Sequence, residues 1–349
     1  MAKPKSSTKL AQIDTLSSTM KQKIQRHPYF LIWSFLALTS LLSILLSISF
    51  GSTHVTWSQW TGSLFQPHSL QHTIIFKLRL PRTICAFITG GLLALAGALM
   101  QTLFRNPLAD PFILGISGGA AVMSLIAIML GLAASHIALW AFVGSLFSIY
   151  LVMVLARVRK RGWSPLHLLL TGVVVATGWS AIISLILTIS PDNYLHSMLF
   201  WLMGDLSYAK FAWWQPAVLI VSLIASLMLA KPLNVLAQGD LSARSLGIDT
   251  HKLNFILFII SSLLTSAAVS IAGTIGFVGL IVPHMLRLMV GSDHRIILPA
   301  SVLLGGSLLT FADTLARTLV APVQLPVGIV TAVIGVPSFL ILLQRGYQK

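Results

Sequence analysis

The sequence predicts an all-α polytopic membrane protein with ten transmembrane helices and both termini on the cytoplasmic side. Hydrophobic residues make up 56% of the chain and charged residues only 9%, whereas a soluble domain carries about 25% charged residues. Several uninterrupted apolar runs reach the ~20 residues that a helix needs to cross a bilayer. Most charged residues fall between these runs, as expected for loops that face water.

Ten apolar runs follow one another along the chain. They lie near 30–50, 83–104, 113–133, 136–157, 166–190, 211–230, 253–272, 274–291, 297–316 and 326–344. A further apolar piece at 194–208 is short for a crossing, so we expect it to lie at the membrane interface or to form a brief re-entrant helix. The chain therefore divides into a basic cytoplasmic tail, 1–29, and a transmembrane domain, 30–349, with a long connection at 231–252.

The basic residues orient the crossings. If the tail is cytoplasmic, the same side collects most of the 23 Lys and Arg residues, which is the asymmetry of the positive-inside rule. Orientation in the bilayer explains the basic charge better than nucleic-acid binding does. The outer side keeps only Lys77, Arg79, Arg82, Lys210 and Arg317. The cluster KLRLPR, 77–82, is thus an exception that needs a cause, and anchoring at the lipid headgroups is one explanation.

Small residues on the second predicted crossing favour close helix packing. They recur at helical spacing, so they share one face together with a single glutamine and would let neighbouring backbones approach. The residues of this face are Gly90, Ala94, Gly97 and Gln101.

Several kinds of chemistry have no signal in the sequence. No glycine-rich loop continues into Gly-Lys-Ser/Thr, so the chain does not bind ATP in that way. The carboxylates lie in loops or near helix ends, which argues against an ion-driven secondary transporter and against an intramembrane lipid-processing enzyme that uses Asp110 or Asp313. The single cysteine, Cys85, excludes an intramolecular disulfide and a cysteine metal cluster, and we expect no metal site. Energy for any transport would come from another polypeptide.

The connection 231–252 is the longest one on the cytoplasmic side after the tail. It contains two short helical pieces, LNVLA and LSARSL, that Gly239 separates. We expect Asp240 to cap the second piece and Gly247 to end it as a C′ glycine. Two such helices would form a rigid protrusion that fits a groove on a partner, and a simple structured loop is the alternative.

The stretch NVLAQGDLSARSLGI, 234–248, resembles the coupling loop of FecCD-type permeases, which belong to bacterial ABC importers for iron–siderophore complexes, haem and vitamin B12. The resemblance extends over RLPRT (79–83), GALMQTLFRNPLADPFILGISGGAA (97–121), GTIGFVGLIVPHMLRLMVGSDHRIILP (273–299), ADTLAR (312–317) and LPVGIVTAVIGVPSF (325–339). It implies the type II ABC importer permease fold, the bacterial inner membrane, and transport by alternating access without covalent chemistry in this chain.

The resemblance also implies partners. Two permease subunits, here a homodimer, would assemble on a dimer of cytoplasmic ABC ATPases, which bind ATP and Mg, and a periplasmic or surface-tethered substrate-binding protein would dock outside. This chain would bind no cofactor. The matching docking residues are Arg79, Arg82 and Arg317. The coupling residues are Gly239, Asp240, Leu241, Ser242, Ala243, Arg244, Ser245, Leu246 and Gly247.

Two further positions follow from the resemblance. A cytoplasmic gate would lie at Ser164, Pro165 and Leu166, although the polar pair that some members carry there is not evident. Gln324 stands before LPVG, where many relatives have Glu, so one outer acid is absent.

The resemblance also implies the cargo. It is a metal chelate, with a ferric siderophore or haem first and vitamin B12 as the alternative, and the binding protein would make most of the selection.

Overall fold

A computed structural model describes residues 30–51, 69–157 and 165–346, so the predicted tail, 1–29, lies outside the described residues. Within these ranges the regular structure is helical, with one 3-10 turn at Pro111–Leu114. The helices are α1 (Phe30–Ser49), α2 (Leu70–Leu103), α3 (Ile116–Met129), α4 (Ala134–Arg157), α5 (Pro165–Ile189), α6 (Asp192–Leu202), α7 (Trp214–Met228), α8 (Ala230–Leu236), α9 (Asp240–Ser245), α10 (Thr250–Ala272), α11 (Val278–Val290), α12 (His294–Thr318) and α13 (Val327–Gly346).

The ten predicted apolar runs each coincide with a helix. Six helices are long and apolar enough to cross a membrane alone, namely α1, α2, α4, α5, α10 and α12, and α7 with α8 makes a seventh span bent by 62°. The remaining three runs form the shorter apolar helices α3, α11 and α13. The helical membrane fold is confirmed, while the side on which the termini lie stays a prediction from charge.

The apolar piece at 194–208 forms helix α6, of 11 residues, followed by a loop. A helix of this length rises ~16 Å, about half of a bilayer core. The expectation of a short helix rather than a crossing is therefore confirmed, and the membrane depth at which it lies stays a prediction.

Helix α2 occupies the centre of the fold. In an 18-residue apolar stretch of this helix, 89% of the residues are buried inside the protein. Helices α10, α11 and α12 pack around it. A Cβ atom on Gly90 would overlap the carbonyl of Gly305, and one on Gly97 would overlap the carbonyl of Gly279. The predicted small-residue face is thus the surface on which α11 and α12 approach α2 at backbone distance.

Helix α2 starts at Leu70, well before the predicted run at 83–104. Residues Thr73–Arg79 form π-helical turns, and the N–H of Leu80 donates to the carbonyl of Ile75. Pro81 has no N–H to give, and the wider turn before it accommodates the missing bond without ending the helix. The motif RLPR therefore lies within α2 and not ahead of it.

The two short helices predicted in the connection are present as α8 and α9. The expected cap of α9 was wrong: the N-cap is Gly239, and Asp240 is the first helical residue. The cause lies in the backbone, because Gly239 adopts a φ of +121° that turns the chain one residue earlier. The Asp240 carboxylate instead binds Arg105.

The end of α9 agrees with the sequence. Gly247 has a φ of +78°, and its N–H donates to the carbonyl of Arg244 at 3.0 Å. The N–H of Ile248 donates to the carbonyl of Ala243 at 3.0 Å. These two bonds form a Schellman motif, so Gly247 is the C′ residue that was predicted.

Candidate functional site

The predicted docking arginines converge at one end of α2. Asp313 of α12 stands between two of them: its Oδ1 lies 2.7 Å from Nη2 of Arg82, and its Oδ2 lies 3.1 Å from Nε of Arg317. Nε of Arg82 also donates to both carboxylate oxygens at 3.1 Å. Because Asp313 is 0% exposed, this is a buried, shared carboxylate that ties α2 to α12.

The same arginines also hold the end of α1. Nη2 of Arg317 donates to Oγ of Ser47 at 2.8 Å. Nη1 of Arg79 donates to the carbonyls of Ile48 and Ser49 at 3.1 and 2.7 Å. Both guanidinium groups are buried, so they are structural donors as well as charges.

Gln324 completes this group. Its Oε1 accepts hydrogen bonds from Nη1 of Arg82 at 2.8 Å and from Oγ of Ser207 at 3.3 Å. A carboxylate there would add a second negative charge, whereas the amide adds only a neutral acceptor. We call Arg79, Arg82, Asp313, Arg317 and Gln324 the outer cluster; its three guanidinium groups outnumber its one carboxylate, so it carries net positive charge.

The cations exposed to solvent near the outer cluster are different residues. Lys77 lies on α2 and Lys210 lies on the loop before α7, and both side chains are exposed. The Arg82 side chain is only 11% exposed. The structure therefore brings the three predicted arginines together and leaves little of their side chains exposed among the described residues.

The opposite end of α2 contacts the predicted coupling loop. Nη2 of Arg105 lies 2.8 Å from Oδ2 of Asp240, and both side chains are about one-third exposed. Leu241 of α9 and Leu246, the residue that follows it, are 85% and 69% exposed. Apolar side chains exposed together on a protrusion are typical of a protein contact surface.

A second connection joins the coupling region to α2 through α8. Nδ2 of Asn234 donates to Oδ1 of Asp293 at 2.8 Å, and Oδ1 of Asn234 accepts the N–H of His294 at 2.9 Å. Burial would raise the pKa of Asp293, but the bonds from Asn234 and from the Arg295 amide hold that pKa below its usual range. On the other side of the ring, Nε2 of His294 lies 2.7 Å from Oγ1 of Thr102 on α2.

No signal in the sequence pointed to these inner residues. Asn234 and His294 lie within stretches that the resemblance covers, but no local pattern marks them as partners. Their bond spans 60 positions of the chain, and that of Thr102 to His294 spans 192. Contacts of this kind become visible only when the helices are placed against one another.

The predicted gate is only partly described. Ser164 lies outside the described residues, Pro165 is the first residue of α5, and Leu166 is 63% exposed. The gate therefore stays a prediction.

Helix α5 carries a second feature that the sequence analysis did not identify. Four hydroxyl side chains lie along one stripe and are exposed, and each donates to the carbonyl four residues earlier in its own helix; they are Thr177, Ser180, Ser184 and Thr188. Back-bonding uses the proton of each hydroxyl and leaves its oxygen able to accept a further hydrogen bond, so this stripe is a candidate for a polar pathway or a subunit contact.

The two carboxylates considered for catalysis have structural partners. Asp313 is shared by Arg82 and Arg317. Oδ1 of Asp110 accepts the N–H of Phe112 at 2.8 Å and caps the 3-10 turn. Each carboxylate thus has a role in holding the fold.

Comparison with known proteins gives consistent matches. The FecCD transport family matches residues 38–345. The hemin transport permease HmuU of Yersinia pestis is 40% identical over 287 residues, which are 79% of this chain and 84% of that protein. The iron(3+)-hydroxamate import permease FhuB of Bacillus subtilis is 39% identical over 313 residues, 87% and 80% of the two chains. The vitamin B12 import permease BtuC of Klebsiella pneumoniae is 37% identical over 321 residues, 90% and 93% of the two chains.

A solved structure supports the same assignment. It is described as an inward-facing conformation of an ABC transporter assigned to the metal-chelate type, and it is 30% identical with a TM-score of 0.80, covering 90% of this chain and 99% of that chain. The expected type II importer permease fold is thereby confirmed. With a family match over most of its length and permease relatives along nearly all of it, the chain belongs to the FecCD transport family and is an ABC importer permease.

Proposed function

We propose that this chain is the membrane subunit of an inner-membrane importer for a metal chelate, with a ferric siderophore or haem as the cargo. Relatives named for hemin and for iron(3+)-hydroxamate are 40% and 39% identical to it. Vitamin B12 is the alternative, because the permease named for it is 37% identical. These identities are too close to separate the cargoes, so the binding protein would decide between them.

The shape of residues 239–247 is the observation that supports an ATPase as the source of energy for transport. Two glycines with positive φ bound a short helix that a Schellman motif closes, and Leu241 in this helix and Leu246 at its end are exposed. Such a protrusion fits a groove on a cytoplasmic ATPase dimer, which would bind ATP and Mg and hydrolyse the ATP. This chain would move in response and perform no hydrolysis.

The outer cluster supports docking of an acidic binding protein. Its net positive charge would attract carboxylates, and Arg is well suited to hold them in two parallel hydrogen bonds. Because Arg79 and Arg317 are buried and the Arg82 side chain is only 11% exposed, a partner would first meet Lys77 and Lys210. The positive charge of the arginines would attract the binding protein from beneath this surface.

Two copies of the chain would enclose the pathway in a homodimer. The stripe of Thr177, Ser180, Ser184 and Thr188 on α5 would then line it, since hydroxyl oxygens can accept hydrogen bonds from water or from cargo. Alternating access would open this pathway first to the outside and then to the cytoplasm.

Affinity purification of the full chain from its native membrane in mild detergent tests this proposal. We expect mass spectrometry to find an ATPase with a Walker motif in the same complex. Vesicles that contain the complex and internal ATP should take up one of three probes: ferric hydroxamate, haem or cobalamin. Recovery of the chain without an ATPase, together with uptake driven by an ion gradient, would instead support a secondary transporter.

A further inference from the structure

We propose that the hydrogen-bonded chain Asn234–His294–Thr102, which we call the coupling relay, passes the movement of the coupling loop to the inner end of α2. Its three residues lie on α8, α12 and α2, which are separate in sequence and in contact in space. The relay rests on the proposed function, because it requires a partner that moves the coupling loop.

The partners of Asn234 fix the orientation of its amide. The backbone N–H of His294 can only donate, so the atom 2.9 Å from it is the amide oxygen. The ionised carboxylate of Asp293 only accepts, so the atom 2.8 Å from it is the amide nitrogen. A flipped amide would place donor against donor and acceptor against acceptor. Helix α8 is therefore attached to the start of α12 in one register.

The tautomer of His294 follows from this orientation. Its Nδ1 lies 2.7 Å from the amide oxygen of Asn234 and must carry the proton in that bond. In the neutral ring, Nε2 then accepts from Oγ1 of Thr102 at 2.7 Å. Each nitrogen has one role, and the imidazole is held between α8 on one side and α2 on the other.

Arg287 of α11 leaves the proton of Thr102 free for this bond. Oγ1 of Thr102 also lies 2.9 Å from the carbonyl of Ala98, but a hydroxyl has a single proton. Nη2 of Arg287 donates to that carbonyl at 3.2 Å, so Ala98 has a donor without Thr102. Nη1 of Arg287 donates to Gln101, whose Nε2 donates to the carbonyl of Leu280 at 2.9 Å. The same turn of α2 is thus also fixed to α11.

Burial makes the relay stiff. His294 is 1% exposed and Thr102 is 3% exposed, so water cannot readily replace the bond between them when it is stretched; Asn234, at the α8 end, is half-buried. Moving α8 without α2 would leave the buried imidazole of His294 without its partner on one side, and this cost favours a common movement of the two helices. The ion pair between Arg105 and Asp240 is a second attachment, but it is about one-third exposed and correspondingly weak.

Helix α2 carries the movement onward. It continues without a break from Thr102 to Arg82 of the outer cluster, and these two residues lie ~30 Å apart at the rise of a helix. A displacement of its inner turn would therefore reach the docking end as a movement of one rigid element. Both sites would bias the position of the same helix, which is the physical requirement for coupling between them.

The test replaces Thr102 by valine, which keeps the shape and removes the hydroxyl. Uptake and ATP hydrolysis are measured in the same vesicles with the purified complex, the binding protein and ferric hydroxamate, haem or cobalamin, whichever the wild type transports. We expect Thr102→Val to retain the ATPase partner but to lower solute uptake per ATP hydrolysed by about fivefold or more. Thr102→Ser restores the hydroxyl and should return the ratio to within about twofold of wild type.

Thr265→Val is the matched control. Thr265 is also buried on a central helix, and its hydroxyl donates to the carbonyl of Ser261 in the same helix at 2.7 Å. It lies outside the relay, so its replacement should leave the uptake ratio within about twofold of wild type. An equal fall in both valine variants would overturn the proposal.

A second break in the relay keeps the test decisive. Asn234→Leu interrupts it at the other end, and the double variant with Thr102→Val should be no worse than either single change, because both remove one pathway. Additive losses, an unchanged ratio in Thr102→Val, or loss of the ATPase from that variant would each overturn the relay. A wild-type complex without ATP-dependent uptake would overturn the proposed function as well.

Discussion

The two ends of helix α2 are held by different kinds of interaction. At the outer end, the guanidinium groups of Arg82 and Arg317 share the buried carboxylate of Asp313. At the inner end, the neutral groups of Thr102, His294 and Asn234 form a chain of directional hydrogen bonds, and the one guanidinium group beside it, that of Arg287, donates to neutral oxygens rather than to a carboxylate. One helix thus joins a charged anchor to an uncharged relay.

This difference predicts different consequences of mutation. A buried ion pair that loses one partner leaves an uncompensated charge, which costs ~3–5 kcal/mol. A neutral hydrogen bond contributes ~1 kcal/mol on average. We therefore expect changes in the outer cluster to act first on stability and changes near the coupling loop to act first on transport.

Asp313→Asn tests the strongest part of this contrast. It leaves Arg82 and Arg317 without their shared carboxylate in a buried site, and we expect a loss of ~3–5 kcal/mol of stability. Thermal unfolding of the detergent-solubilised protein measures the loss. Asp192→Asn is the control, since Asp192 is exposed in the first turn of α6, and its change should cost less than ~1 kcal/mol. Equal melting temperatures of the two variants would contradict the buried anchor.

Gly247→Val tests the coupling loop. Valine at a φ of +78° is strained by ~1–3 kcal/mol, which should open the Schellman motif and distort α9. We expect ATP hydrolysis to continue while uptake falls, as measured on the same vesicles. Gly131→Val is the control, because Gly131 ends α3 in the same motif with a φ of +67° but lies outside the coupling loop. Normal uptake in Gly247→Val would count against this assignment.

Gln324→Glu tests whether the net positive charge of the outer cluster contributes to the affinity for the binding protein. The new carboxylate would bind Arg82 in place of a neutral oxygen and add ~1 kcal/mol of stability. It would also reduce the net positive charge, so we expect affinity for an acidic binding protein to fall about fivefold. Surface plasmon resonance at fixed ionic strength measures this affinity. Gln324→Met, which removes the hydrogen bond without adding charge, should leave the affinity nearly unchanged; an equal fall in both variants would show that charge is not the cause.

Arg105→Ala is the smallest change. It removes an ion pair whose two side chains are 35% and 33% exposed, and such pairs contribute less than ~1 kcal/mol. Thermal unfolding should therefore change little, in contrast to Asp313→Asn. A loss of stability as large as that of Asp313→Asn would show that exposure does not separate the two ion pairs.

The sequence predicts the fold well because the bilayer leaves few alternatives. Helices satisfy their own backbone hydrogen bonds in lipid, so long apolar runs become helices. The close approach at Gly90 and Gly97 and the left-handed Gly247 were also predictable, since each depends on the absence of a side chain. The early start of α2 was not, because Pro81 and three basic residues are typical of a helix boundary.

The candidate sites were predictable only as positions. The motif ADTLAR contains both Asp313 and Arg317, and their i,i+4 spacing is a local signal for an ion pair. The sequence does not show that Arg82 shares this carboxylate, since the bond from Arg82 to Asp313 spans 231 positions of the chain. Burial of these arginines likewise depends on the packing of α1, α2 and α12. The relay residue His294 gave no signal, because a lone histidine near a helix start has no periodicity or spacing that identifies its partner.

Uptake by the reconstituted complex is the measurement that tests the central claim most directly. Purified permease with its ATPase is placed in vesicles that contain ATP or a non-hydrolysable analogue, and ferric hydroxamate, haem or cobalamin is added with the binding protein outside. We expect accumulation of one metal chelate with ATP and none with the analogue, regardless of ion gradients. Equal accumulation with the analogue, or accumulation that an ion gradient alone drives, would contradict an ATP-driven importer.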